Sequence, residues 1–359
     1  MSKRMIAAVV AGPLVVVLLA LAAFAPLPYV TYRPGDTINV LGVESGKEII
    51  QVEGHKTYRD PGELRMTTVI VSRPEQENSL LELMATWING DNAVVPYDSV
   101  YQEGVTEEEN DIQGAAQMVS SQDSAIAVAL TELGYELAPR LEVQAVIPGS
   151  PAAGRLEVRD IFLEANGQKV TSSEDVIKAV SETAPGEQVT FLMRHGKVNR
   201  RISLTPEQVD GEQRIGVTLG QGYIFPFDVK VNINPLISGP SAGLMFSLAI
   251  YDTLTPGSLT DNEVVAGTGE IAPDGSVGPI GGIAQKIAGA RDDGAELFLV
   301  PPANCADVDD VDNGDMELVL AETMHDVVEA LEAWADDRGA DLPTCADLAQ
   351  GEARSEVRQ

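Results

Sequence analysis

Two residues of this chain have the type and setting for nucleophilic chemistry. Ser241 lies between Pro240 and Ala242-Gly243, at the mouth of an apolar helical run from Leu244 to Leu254. Lys286 follows Gly281-Gly282 after a short spacer and begins a second helical run. A serine at the first turn of a helix sits among unpaired backbone N–H groups at the positive end of the helix dipole. Both features suit a developing oxyanion. Serine needs a base, and lysine can be one when burial and apolar neighbours depress its pKa towards neutrality. Taken singly, each residue has a plainer reading, Ser241 as a helix cap and Lys286 as a solvated helix lysine.

Read together with their glycine-rich surroundings, they carry a resemblance. Gly239-Pro240-Ser241-Ala242-Gly243, Thr268-Gly269-Glu270 and Gly281-Gly282-Ile283-Ala284-Gln285-Lys286 resemble the three signature blocks of the Lon-type serine–lysine peptidase domain. Order and spacing agree, with Ser241 and Lys286 separated by 45 positions. The similarity runs from Gln213 to Ala335. It implies that Ser241 is the nucleophile, that Lys286 is its general base and that Thr268 orients the lysine. It also implies protein or peptide substrates and a homo-oligomer, because such domains commonly form closed rings. Ordinary Lon proteases fuse an ATPase to this domain. Here no G-x-x-x-x-G-K-[ST] loop occurs, so hydrolysis without ATP is expected.

Two alternatives stay open at this point. Gly239-x-Ser241-x-Gly243, followed by Asp310 and His325, matches the nucleophile-elbow order of α/β-hydrolases. Asn234-Pro235 breaks the strand that an elbow requires, Pro240 is awkward in a strained turn, and His325 sits in an amphipathic helix pattern from Ala321 to Trp334. The other alternative is a scaffold or adaptor whose peptidase fold is inactive.

The middle of the chain has its own character. Pro148-Gly149-Ser150-Pro151-Ala152-Ala153, the hairpin signal Asn166-Gly167-Gln168-Lys169-Val170 and Pro185-Gly186-Glu187-Gln188-Val189 resemble a PDZ domain of the bacterial protease-associated kind. Arg159 departs from that pattern, which usually has glycine before Asp160. The resemblance implies capture of an extended peptide end by strand addition. The matching apolar-Gly-apolar loop is assigned to Leu133-Gly134-Tyr135, which also reads as a plain helix C-cap.

At the N-terminus, Lys3-Arg4 precedes an uncharged apolar run from Met5 to Ala25, broken by Gly12-Pro13. About 20 such residues can span a bilayer. The basic flank would place that end in the cytoplasm and the bulk of the protein outside, as a single-pass cell-membrane protein. Ala23-Phe24-Ala25 offers a cleaved signal peptide as the competing reading, with Pro26 a poor junction after it. From Thr37 to Tyr101, β-branched runs suggest a small β-rich region near the membrane, and Leu80, Leu83, Met84 and Trp87 mark a helix face.

Composition bounds the remaining possibilities. The 359 residues are 44% hydrophobic, enough for several cores, with a net charge of −31. That charge repels nucleic acid, and no basic patch relieves it. The three histidines are isolated and no paired-cysteine motif occurs, so no metal or other cofactor is implied. Cys305 and Cys345 could form a disulfide if the domain lies outside the cytoplasm, or remain two free thiols. The expected architecture is therefore α+β and multi-domain: a transmembrane anchor at 1–28, a β-rich region at 29–122, a PDZ-like domain at 123–207, a Lon-type proteolytic domain at 213–335 and a polar tail at 336–359.

Overall fold

The structure is a computed structural model that describes residues 3–348 except 75, 77 and 103. The polar segment beyond 348 lies outside the described residues. The first helix, α1 (Lys3–Phe24), carries Pro13 in its interior. Its side chains are described at Met5 and from Val9 onward. Among the described residues no helix is long and apolar enough to cross a membrane. The transmembrane anchor expected of Met5 to Ala25 is thus not supported.

The first third of the chain then supplies β1 (Tyr29–Asn39), β2 (Ile50–Glu53), β3 (Glu63–Val71), α2 (Leu80–Ile88) and β4 (Ala93–Pro96). Ser79 opens α2 with a capping box, its hydroxyl accepting from the Glu82 N–H while the Glu82 carboxylate accepts from the Ser79 N–H. The helix buries Leu83 and Thr86. Of the apolar face marked by Leu80, Leu83, Met84 and Trp87, only Leu83 is buried, and Met84 and Trp87 are exposed. A long helix, α3 (Glu107–Glu132), follows. The sequence suggests two helical stretches here. They form one rod: Thr106 caps its start with Glu109, Glu107, Glu108 and Glu109 complement the helix dipole, and Ser121, Gln122 and Asp123 between the two stretches are buried within it.

The middle third forms β5 (Pro139–Val146), β6 (Ile161–Ala165), α4 (Ser173–Ser181), β7 (Val189–His195), β8 (Val198–Leu204) and β9 (Val217–Tyr223). They make one sheet in the order β8-β7-β6-β5-β9, around a core that includes Phe162, Phe191 and Val176. This PDZ-like sheet takes its last strand from beyond the expected boundary at 207.

The last third adds β10 (Asp228–Val231), α5 (Gly243–Leu254), β11 (Val264–Gly267), α6 (Ile283–Asp292), β12 (Leu297–Val300), β13 (Glu317–Leu320) and α7 (Met324–Asp336). Apart from the short hairpin of Glu270–Ile271 with Val277–Gly278, its strands do not form a sheet of their own. The order β13-β12-β11-β3-β1-β4 interleaves them with the first third, and β11 pairs in parallel with β3 from Val264↔Glu63 to Gly267↔Met66. β10 likewise pairs with β2. The residues expected to form a separate β-rich scaffold are therefore strands of the peptidase-like domain. A local reading of strand patterns carries no information about a partner some two hundred residues away.

This shared sheet separates two helix layers. Along β12, Leu297 and Leu299 face one core with α5, whereas Phe298 and Val300 face another with Ile283 and Ile287 of α6. From Gly243 to Ile250 every residue of α5 is buried, as expected of a helix that is apolar all round. Past α7 the chain turns back: Pro343 accepts a hydrogen bond from the Leu320 N–H, and Cys345 is joined to Cys305 by a disulfide. That part of the segment from 336 is held against the sheet and is no free tail.

A fragment beginning at Gln213 should consequently fail to fold, because it lacks β1 and β3. Circular dichroism and urea titration of residues 213–359 should show no cooperative transition, and a sharp one would refute the shared sheet.

Candidate active site

The parallel strand β11 ends at Gly267, and the site is built around that end, as is usual at the carboxyl ends of parallel strands. Ser241 precedes α5 on one side of the sheet, Lys286 stands in the first turn of α6 on the other, and Thr268 follows β11 directly. The amine of Lys286 lies 2.9 Å from Ser241 Oγ and 2.9 Å from Thr268 Oγ1. Thr268 Oγ1 donates its one proton to the Ser241 carbonyl at 3.0 Å. It therefore meets the lysine as an acceptor.

Glycines allow this approach. Gly282 has φ +69, and a Cβ there would lie 2.9 Å from Val69 Cγ1 and 3.1 Å from Tyr32 Cδ1. It begins α6, and its carbonyl accepts from the Lys286 N–H at 3.0 Å. One turn of helix from that glycine delivers the amine to the sheet's end.

The electrostatics follow from burial. Lys286 is 2% exposed and Thr268 1%. Burial lowers the Lys286 pKa from 10.5 to about 7, and the Glu270 carboxylate opposes that shift. Glu270, pushed up by its own burial, is drawn down again by the lysine. A lysine poised near neutrality can accept a proton, which an ordinary surface lysine cannot do at physiological pH.

The plainer readings of both residues do not fit this geometry. Ala242, not Ser241, caps α5, and it does so with no side-chain bond. The backbone N–H groups of Ser241 and Ala242 have no hydrogen-bond partner among the described residues. Ser241 opens into a cleft of about 1360 Å³ that Lys286 also lines, bounded by Thr68 and Val69 of β3, Gly114 of α3 and Leu236.

The hydrolase alternative is not assembled. His325 is exposed, with its Nδ1 2.7 Å from Glu132 Oε1 and its Nε2 3.5 Å from Glu329. Asp310 is exposed as well. Leu133-Gly134-Tyr135 ends α3: Gly134 has φ +87 and the Tyr135 N–H bonds the Leu130 carbonyl. Leu133 and Tyr135 pack on the core shared with α5, and Tyr135 meets Phe227 edge-on. The helix-cap reading is the one this geometry fits. The sequence holds a second apolar-Gly-apolar stretch, Ile215-Gly216-Val217, beyond the expected PDZ boundary at 207. It opens β9, the edge strand of the PDZ-like sheet, and Gly216 has φ +75. Its signal was the same three-residue pattern. Among the described residues no group of His, Cys, Asp or Glu is placed to hold a metal ion.

Comparison with known proteins adds a class to this geometry. Residues 235–333 match the Lon protease (S16) C-terminal proteolytic domain, and residues 116–205 match the PDZ domain. Both domains are present in this chain. Lon protease 1 of Herpetosiphon aurantiacus is 33% identical over 159 residues, covering 42% of this chain and 19% of that protein. Lon protease of Mycolicibacterium smegmatis is 28% identical over 205 residues, 55% of this chain and 23% of that protein. The chain thus spans less than a quarter of either relative. The PDZ domain of an SdrC-like protein from Listeria innocua is 27% identical, covers 24% of this chain and 99% of that chain, and has a TM-score of 0.22. The proteolytic domain and its relatives support a serine peptidase.

The buried amine makes a prediction about stability. The unfolded chain keeps Lys286 charged up to 10.5, whereas the folded state releases its proton near 7. The unfolded state binds more protons in that window, so this group's contribution to stability rises with pH from about 7 to 10.5. Lys286→Met should therefore stabilise the fold by roughly 1–3 kcal/mol at pH 6 and by less at pH 9. Urea unfolding at the two pH values measures this, and a stabilisation larger at pH 9 would contradict it.

Proposed function

We propose that this chain is a serine endopeptidase that hydrolyses flexible protein chains through a Ser241–Lys286 dyad. One observation carries the reading: a buried amine with its pKa near 7 stands 2.9 Å from a cleft-facing serine hydroxyl. Neutral lysine has two N–H donors and one lone pair. Thr268 Oγ1 takes one N–H, which leaves the lone pair for the Ser241 proton. As Oγ attacks the scissile carbonyl, Lys286 takes that proton. The carbonyl oxygen becomes an oxyanion facing the free N–H groups of Ser241 and Ala242. The resulting ammonium protonates the departing amine, and the C–N bond breaks to leave an acyl-enzyme. Water then repeats the sequence, with Lys286 as base, and releases the acid.

The edge of β3 supplies a place for the substrate's main chain. β11 pairs with β3 only as far as Met66, while β3 continues to Val71. Thr68 and Val69, beyond the end of that pairing, line the cleft beside Ser241. An extended peptide can add there as a strand, which selects unfolded over folded chains. The PDZ module offers a second docking edge at β9, entered through Gly216 and flanked by the partly buried Ala179, Val217 and Leu219. The Cys305–Cys345 disulfide supports placing the domain in an oxidising compartment outside the cytoplasm.

Because the two residues act as one unit, Ser241→Ala, Lys286→Ala and the double variant should lose similar activity on a quenched peptide, down to background. His325→Ala and added ATP should change nothing. The wild-type kcat/KM should rise about tenfold per pH unit below a midpoint near 7 and then level. Persistent turnover in Lys286→Ala would overturn the dyad.

A further inference from the structure

The PDZ module and the nucleophile loop grip the same helix. Gly114 and Ser121 are two turns apart on one face of α3. The Gly114 carbonyl accepts from the Gly239 N–H at 3.1 Å, and the Ser121 hydroxyl donates to the Pro240 carbonyl at 2.8 Å. These are the two residues before Ser241. The contact is close: a Cβ on Gly243 would lie 2.9 Å from Ser121 Oγ.

The next residues of α3 turn to the PDZ module. Arg159 Nε donates to Asp123 Oδ1 at 3.1 Å, and Arg159 Nη2 donates to Gln122 Oε1 at 2.7 Å. Asp123 is 1% exposed, and Glu142 of β5, 2% exposed, completes the cluster. Burial and the Asp123 charge hold the Glu142 carboxyl well above the usual range, so it keeps its proton beside Asp123. The Glu142 side chain also covers Gly222 of β9, where a Cβ would lie 2.1 Å from its carboxyl oxygen.

Arg159 adds an independent sign. Its φ is +71, a conformation that favours glycine. An arginine held there against its backbone preference carries strain that other contacts must offset, and its only side-chain hydrogen bonds among the described residues go to α3.

We propose that α3 positions the nucleophile and that the PDZ module sets α3 through Arg159, so that this module governs turnover as well as docking. Arg159, Asp123 and Ser121 are positioning residues, acting through the Gly239-Pro240 backbone. The proposal rests on the reading of Ser241 as nucleophile. It requires that a small displacement of that backbone is costly, and misplacement by about 1 Å can cost as much as a hundredfold in rate.

Arg159→Gly is the decisive variant, because glycine suits the backbone there while every side-chain bond from Arg159 to α3 is lost. In the full chain the relief of backbone strain offsets part of the cost of leaving the buried Asp123 carboxylate without its cation, so Tm should fall only modestly. On a short quenched peptide with an amidated end, which offers the PDZ module no carboxylate, kcat should fall about tenfold. KM should stay within twofold, and the pH midpoint should not move. Asp123→Asn keeps an acceptor for Arg159 and should retain most of the turnover, whereas Asp123→Ala should lose it. Arg159→Gly combined with Ser121→Ala should cost no more than the worse single change. Hydrogen exchange read on the peptide 234–243 should quicken in Arg159→Gly, whatever the activity. Unchanged exchange, or unchanged kcat, would overturn the coupling. A wild-type chain that cleaves nothing while Arg159→Gly still quickens exchange would sink the peptidase reading and sustain the coupling.

Discussion

The desolvation of one amine is the constraint around which this structure is arranged. Lysine tolerates full burial only by giving up its proton or finding compensating partners. Lys286 finds two hydroxyls and, at longer range, Glu270. Among the described residues no other group opposes the effect of burial. That balance requires close cover around the amine except where it faces the cleft beside Ser241: α5 is buried all round, and α6 lies on β1 and β3 through Gly282. A more open arrangement would let water return and raise the pKa back to that of a spectator.

The same requirement makes sense of the discontinuous domain. A sheet built from the last third alone would end at β11, leaving the amine at an exposed edge. β3 closes that edge, and β1 extends the cover beyond it. Thr67 adds a hydroxyl bond to the Gly267 carbonyl at 3.2 Å, beside the residue from which Thr268 departs. The parallel pairing stops there, so the strand edge is sealed beneath the lysine and open beside the serine. Protection and access come from one strand.

What was legible in the sequence follows from this geometry. Ser241, Thr268 and Lys286 stood out because each sits in a short glycine-bounded block, and glycines of that kind report local needs. The helical run around Lys286 is legible for the same reason, since α6 is complete within ten positions. The pairing of β3 with β11 is not, because parallel pairing leaves no mark on either strand alone. α2 misled for a related reason: its apolar residues outnumber the sites its neighbours bury, and Trp87 remains outside. The Ile215-Gly216-Val217 turn carries the same local pattern but lies beyond the boundary expected at 207, because the last PDZ-like strand follows an intervening hairpin. Arg159 was visible as a departure from pattern, but only its φ of +71 and its bonds to α3 give that departure a cause.

The surface charge bears on how the site keeps its tuning. With 55 acidic and 24 basic residues, the average field over the molecule favours protonated lysine. Left to that field, Lys286 would stay an ammonium at neutral pH. Two effects oppose it. Solvated carboxylates are screened beyond about 8–10 Å in physiological salt, so most of the excess charge never reaches the site. Burial acts on the amine directly, and it outweighs the one carboxylate that lies near enough to matter, Glu270. The acidic exterior can therefore serve solubility without disabling a basic lysine, provided that the cover over the amine is continuous. That cover is made by residues drawn from both ends of the chain. The shared sheet must close around Lys286 before burial can lower the pKa of its amine, so assembly of that sheet and tuning of the lysine are the same event.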